Sequence, residues 1–162
     1  MIIVADASVV ISLSTICQLG IIHARFPNGV YLAPAVWREV VEQGRERPGA
    51  EEVRTAAWIK KLEIQDQVFA QYLQSGLDTG EAESIVLARE ISANLILLDE
   101  RDARRVAMNF GFQVLGTIGL LIWAKRTAHV HSLKELLDKL QDTANFRISK
   151  SLYAFALHQV GE

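Results

Sequence analysis

The chain begins MIIVADASVVISLS, and its sixth residue is a carboxylate set into a run of apolar and small residues that otherwise reads as a buried strand. An ionised Asp is seldom fully buried without a partner. Asp6 is therefore expected either to end the strand as a helix cap or to face a positive charge. A later apolar run, LILL, also ends in a carboxylate, Asp99, with Asp102 three residues on. Glu39 follows a second short apolar run, and Glu81 and Glu83 precede LILL. Carboxylates gathered within about 5 Å repel one another and rise in pKa unless a cation sits among them. A hard divalent ion, Mg²⁺ or Mn²⁺, takes oxygen donors of this kind and shares its sphere with water and phosphate. Each acid also has a plainer use. An Asp after a strand suits a helix N-cap, Asp78 and Glu81 have capping-box spacing, and a lone Glu39 suits a solvated helix face.

Other chemistry is sparse. His23, His129, His131 and His158 share no metal-ligand spacing except the close pair at 129 and 131, which falls in a loop. There is no Gly-rich phosphate loop, serine nucleophile elbow or cysteine cluster. Trp37, Trp58 and Trp123 lie on apolar helix stripes, as core residues would. Arg101, Arg104 and Arg105 follow Asp99 directly. Arg101 and Arg105 share a helix face at i, i+4, where they either contact substrate phosphates or face solvent.

The elements that must position these residues alternate. IIVA, VYLA, LILL and FQVL read as short buried strands. Between and after them come segments of helical pattern: VVISLSTICQLGII capped by Asp6 or Ser8, PAVWREVVEQG with Pro34 in its first turn, AEEVRTAAWIKKL, DQVFAQYLQSG, a long helix after Asp78, RDARRVAMNFG and GTIGLLIWAKRTA. LEI is a candidate edge strand, and SLKELLDKLQD and SKSLYAFALHQV are further helices. This pattern predicts an α/β/α sandwich with a central parallel sheet, in which ligands bind outside the carboxyl ends of the strands. The expected organisation is one α/β domain over residues 1–128, with a helical extension, 129–162, packed on it.

With 162 residues, half of them hydrophobic and 22% charged, the chain has the balance of a folded domain. Seventeen basic against nineteen acidic residues give a net charge of −2. Bulk charge therefore draws it to no nucleic acid, and any such role rests on a local basic patch or a metal. A single cysteine, Cys17, excludes an internal disulfide and suits a cytoplasmic location. No apolar stretch has the length of a bilayer span, so no membrane association is expected.

Taken together, these motifs resemble the PIN-like domain family. Asp6-Ala7-Ser8 followed by VVISL resembles the opening of a PIN domain, and PAVWREV its helix carrying the second acid. LDTGEAESIVLA and LILLDERDARRVA resemble the segments with the third and last acids. The combination of LDTGEAE, LLDERDARRVA and VLGTIGLL is similar to an uncharacterised bacterial and archaeal branch of these nucleases, related to the toxins of toxin–antitoxin pairs. The resemblance implies metal and catalytic roles for Asp6, Glu39, Glu83 and Asp99, with Glu81 and Asp102 as alternative ligands. Ser8, Arg101 and Arg105 are the expected substrate contacts. It further implies a Mg²⁺- or Mn²⁺-dependent endoribonuclease acting on RNA, held inactive by a small antitoxin protein and assembling as a homodimer. Two other readings stay open: a catalytically degenerate PIN-like module that binds nucleic acid or protein, and a haloacid-dehalogenase-type phosphatase. The phosphatase would need an acid where Ser8 stands.

Overall fold

The structure is a computed structural model describing residues 1–162. Five three-residue strands, β1 (Ile3–Ala5), β2 (Val30–Leu32), β3 (Ile59–Lys61), β4 (Leu95–Leu97) and β5 (Gln113–Leu115), form one sheet in the order β3-β2-β1-β4-β5. Every pairing is parallel, with Ile3 opposite Leu95, Val30 opposite Ile59 and Leu95 opposite Gln113. The two central strands are buried throughout, which is why their sequences are unbroken apolar runs rather than alternating ones.

Helices cover both faces. On one side lie α3 (Pro34–Trp37), α5 (Gln67–Leu73), α6 (Thr79–Glu90) and α7 (Arg101–Asn109). On the other lie α1 (Ala7–Thr15), α2 (Gly20–Arg25), α8 (Thr117–Arg126) and α9 (Leu133–Thr143), with α10 (Lys150–His158) against α9. The short α4 (Ala50–Thr55) packs on Arg38–Glu42, the turn just past α3. Leu133, Leu137, Leu140 and Ala156 join the same hydrophobic core as the sheet residues. The α/β/α sandwich expected from the alternating pattern is the observed architecture.

Three local expectations need correction. The segment after Asp6 is two helices, not one. Cys17 adopts a left-handed φ of 58°, and the Gln18 amide bonds back to the Leu13 carbonyl at 2.8 Å, the six-residue closure that terminates a helix. No glycine marks that stop. The helix after Pro34 is α-helical only to Trp37 and widens into a π turn over Arg38–Glu42, with the Gln43 amide reaching the Arg38 carbonyl at 2.8 Å. The expected helix from Ala50 stops at Thr55, and the edge strand lies at Ile59–Lys61 instead of LEI. Gly29 makes that edge possible: its φ is 84°, and a Cβ there would stand 2.1 Å from the Trp58 carbonyl oxygen.

Strand order fixes where a ligand can enter. The chain runs outward from β1 to β2 and β3, then returns to the opposite side of β1 for β4 and β5. The β1/β4 boundary is thus the topological switch point, whose carboxyl end opens a crevice in doubly wound folds. Asp6 leaves β1 there, its amide bonded to the Leu97 carbonyl of β4 at 3.0 Å.

Candidate acidic site

Asp6 is only 3% exposed and is the N-cap of α1. Its Oδ2 accepts hydrogen bonds from the Ser8 amide at 3.2 Å and the Ser8 hydroxyl at 2.8 Å, while Ser84 Oγ lies 3.5 Å from Oδ1. So Ser8 orients the carboxylate directly. No cation pairs with Asp6, and burial pushes its pKa up despite the Ser8 bonds.

Around Asp6 the structure gathers acids from three other segments. Asp78 caps α6 and forms a reciprocal capping box with Glu81: the Glu81 amide donates to Asp78 Oδ1 at 2.8 Å, and the Asp78 amide to Glu81 Oε2 at 3.0 Å. A point at the Cβ position of Gly80 lies 3.5 Å from Asp6 Oδ1, from Asp78 Oδ1 and from Val36 Cγ2. Glu39, on the π turn, is raised in pKa by burial and by Asp6 and Asp78, with Arg47 acting in the opposite sense. Glu81, 7% exposed, is raised to about 7 by burial and by the neighbouring charges of Asp78, Asp6 and Glu100. One electrostatic cluster therefore contains Asp6, Glu39, Asp78 and Glu81, with Glu100 at its rim.

Two of the acids expected at the site are engaged elsewhere. Glu83 is 8% exposed, and its Oε2 accepts from the Ala35 amide at 2.7 Å in the first turn of α3. Asp99 accepts from the Thr117 amide at 2.8 Å and the Thr117 hydroxyl at 2.6 Å, anchoring the start of α8. Burial raises the Asp99 pKa, and the Thr117 bonds and Arg104 oppose the rise. Gly116 is required here, because a Cβ would stand 2.7 Å from Asp99 Oδ1. Asp102 is exposed and pairs with Arg105 at 3.1 Å. Arg101 and Arg105 project to solvent from α7, whereas Arg104 turns inward and donates to the Leu98 carbonyl at 2.8 Å.

Asp78 and Glu100 are the members the sequence reading missed. Asp78 caps α6 as its position suggests, and the same carboxylate also borders Asp6. Its signal was the i, i+3 relation to Glu81, which puts both on one side of the first helical turn. Glu100 gave no signal beyond lying next to Asp99.

The residues present suit a hard cation by two measures. The donors are all carboxylate oxygens outside any salt bridge, and the small residue at Gly80 leaves open the volume a methyl group would fill between Asp6 and Asp78. No three potential ligands already stand together as a complete cage. Ligation would therefore draw on side-chain adjustment and water, in keeping with the way Mg²⁺ retains part of its hydration.

A doubly wound parallel sheet with unpaired acids at its switch point defines the class: an α/β protein with an anionic cleft outside the strand ends. The particular family follows from comparison, since a family described as PIN domain matches residues 2–162, and the chain belongs to it. No curated protein and no solved structure matches it. No helix is long and apolar enough to cross a membrane.

Proposed function

We propose that the protein is a PIN-type nuclease that hydrolyses RNA with Mg²⁺ or Mn²⁺ held at the acidic cleft. The observation that carries this reading is the cluster at the switch point of Asp6 and Glu81, both buried, with half-buried Glu39 and exposed Asp78, none of them in a salt bridge. Asp6, Glu39 and Glu81 are the first candidates to hold the ion, with Asp78 beside them and Glu83, Asp99 and Asp102 as outer supports. When bound, the divalent ion would supply a nucleophilic water and stabilise negative charge on the scissile phosphate.

The chain's own residues account for the rest. Ser8 fixes the Asp6 carboxylate through two hydrogen bonds, so the oxygen nearest Gly80 keeps its direction. Glu81 has one oxygen committed to the Asp78 amide and can carry a proton on the other near neutral pH, which suits acid–base work. Arg101 and Arg105 place mobile positive charge on α7, beyond the cleft, where they can meet the flanking phosphates of a single strand. The family's toxins suggest that a small antitoxin protein blocks the site and that the protein is a cytoplasmic homodimer.

The test is cleavage of a labelled single-stranded RNA with Mn²⁺, Mg²⁺ or EDTA, run beside calorimetric metal titration. Metal-dependent cleavage lost in Asp6→Asn and Glu39→Gln is the expected result. Absence of metal binding at millimolar concentration would overturn the reading. Glu83 and Asp99 are both bound to helix-start amides, and this favours a second reading: a PIN module that binds nucleic acid without cutting it. Metal-independent RNA binding with no cleavage would establish that alternative.

A further inference from the structure

At the opposite end of the sheet from the acids, a cleft of about 570 Å³ opens between the starting residues of β4 and β5, the end of α2 and the side of α8. Its size lies within the range of small-molecule sites, roughly 300–1,000 Å³. Arg25, at the end of α2, lines it together with Phe26, Asn28, Leu95, Gln113 and Trp123. The guanidinium carbon lies 5.0 Å from the centre of the Trp123 ring and 5.5 Å from that of Phe26.

The guanidinium lacks what such a group normally has. Arg25 makes no ion pair, and its Nε is buried without any hydrogen-bond partner. A buried, unsatisfied donor carries a free-energy cost, and one on a charged group costs more. The Phe26 and Trp123 rings offset part of it as cation–π partners, but no counter-charge does, because not one of the lining residues is acidic, although acids outnumber bases in the chain. The remaining polar groups, the amides of Asn28 and Gln113, can donate as well as accept. Leu95, Phe26 and the Trp123 ring supply an apolar wall.

We propose that this cleft is a binding site for a small organic anion, a carboxylate or phosphate carried on a flat apolar body. The anionic group meets Arg25, and the apolar body lies along Phe26, Trp123 and Leu95. Both acid types present the same planar or forked acceptor to a guanidinium. Neutral aromatics of the same shape leave the guanidinium without a counter-charge and bind less well. The site is independent of the acidic cleft, since Leu95 begins β4 whereas Asp99 follows its end.

The probes are 4-fluorobenzoate, phenyl phosphate, inorganic phosphate and 4-fluorobenzyl alcohol, added to the full chain in EDTA. Binding is read by thermal shift for all four and by ¹⁹F line broadening for the fluorinated pair. A saturable response to fluorobenzoate or phenyl phosphate is expected, with a weaker one for the alcohol. Preference between the two anions then identifies carboxylate or phosphate as the natural headgroup, and a response to inorganic phosphate alone overturns the apolar part of the assignment. Arg25→Met keeps the apolar stem and should weaken binding about tenfold or more, the loss of one charge-assisted contact. Should that variant fail to fold, Gln113→Glu sets a carboxylate at an exposed position in the same cleft and should weaken the anions similarly. No saturable response, equal binding of acid and alcohol, or unchanged affinity in the folded variant each overturns the proposal.

Discussion

Replacing Asp6 by Asn should stabilise the metal-free protein, the reverse of the usual effect of removing an N-cap. Two terms oppose each other. On the losing side, the Ser8 amide and hydroxyl bond to an ionised oxygen. An Asn Oδ1 still caps the amide at small cost, while the hydroxyl bond loses its charge assistance, together about 1 kcal/mol. On the gaining side, Asp6 and Asp78 each place an oxygen 3.5 Å from the same point beside Gly80, so the two stand no more than 7 Å apart. Desolvation of the buried Asp6 carboxylate is the larger contribution, and repulsion from the exposed Asp78, at most roughly 2 kcal/mol at an effective dielectric of about 20 before solvent screening, adds to it; together they amount to about 2 kcal/mol. The raised pKa of Asp6 says the same thing in sign: its ionised form is the disfavoured one in the folded state. The net gain is about 1 kcal/mol, or a rise of roughly 2–4 °C in Tm for a chain of this length.

Paired melts in EDTA at neutral pH measure this directly, and a repeat near pH 4 provides the control. A group whose folded pKa is raised contributes stability that is complete below its unfolded value and is lost as pH rises through the folded one. The advantage of Asn must therefore shrink on acidification. Added Mn²⁺ should raise the wild-type Tm and leave Asp6→Asn unmoved. A variant that melts lower than wild type in EDTA yet keeps its Mn²⁺ response would make Asp6 a structural cap and refute the reasoning.

Gly80→Ala should add about 0.5–1 kcal/mol to apo stability by restricting the unfolded chain, and should weaken the Mn²⁺ shift because the new methyl occupies the space between Asp6 and Asp78; an unchanged metal affinity by calorimetry would place the ion elsewhere. The Glu81 pKa, raised to about 7, makes apo stability greatest below about pH 4.5 and lower as pH climbs through 7, so Glu81→Gln should flatten the Tm–pH curve in that window, and identical slopes would remove Glu81 from the cluster. Glu162 behaves oppositely. It receives the Leu133 and Lys134 amides at 3.0 and 2.8 Å and pairs with Lys125 at 2.9 Å, which lowers its pKa to about 2. Its contribution is present above about pH 4.5 and disappears toward pH 2, and Glu162→Gln should cost about 1 kcal/mol at pH 7 in chemical denaturation, with no loss meaning that the α9 cap is dispensable. Arg105→Ala should leave Tm nearly unchanged, since its pairing with Asp102 is exposed, and should reduce the log–log salt slope of single-stranded RNA binding by about 0.7; an unaltered slope assigns Arg105 to solvent.

The strands and most helix starts could be read from the sequence because one physical signal dominated each. Buried parallel strands announce themselves as apolar runs, and Asp78 accepts the helix-start amide its position suggested; Ser132 and Ser149, which open the last two helices, cap them in the same way. The failures share a cause. Cys17 takes a left-handed conformation without being Gly or Asn, and the π turn at Arg38–Glu42 carries no residue that marks it. The π turn packs against α4, a tertiary contact that leaves no trace in local composition, and the exposed turn at Cys17 has no sequence mark either.

The candidate site was legible as a set of acids, yet composition could not say which way each points. Glu81 and Glu83 are two positions apart on α6, about 200° around a helix, so they cannot both face β1. The capping box decides between them. Asp78 must sit at the helix start to accept the Glu81 amide, and the i, i+3 relation then commits Glu81 to the same side, toward Asp6. Glu83 is left facing α3, whose Ala35 amide has no partner within its own helix and takes the carboxylate at 2.7 Å. Asp99 is claimed in the same manner by the first turn of α8. Helix starts thus compete with the cleft for the chain's acids: amides of α3 and α8 take Glu83 and Asp99, Asp6 caps α1 through Oδ2 while Oδ1 faces Gly80, and Glu81 gives one oxygen to the Asp78 amide and keeps the other free. Exchanging Glu83 for Gln tests this division: it keeps the Ala35 bond, so metal affinity should change far less than in Glu81→Gln, and an equal loss in both would mean that α6 turns when the ion binds.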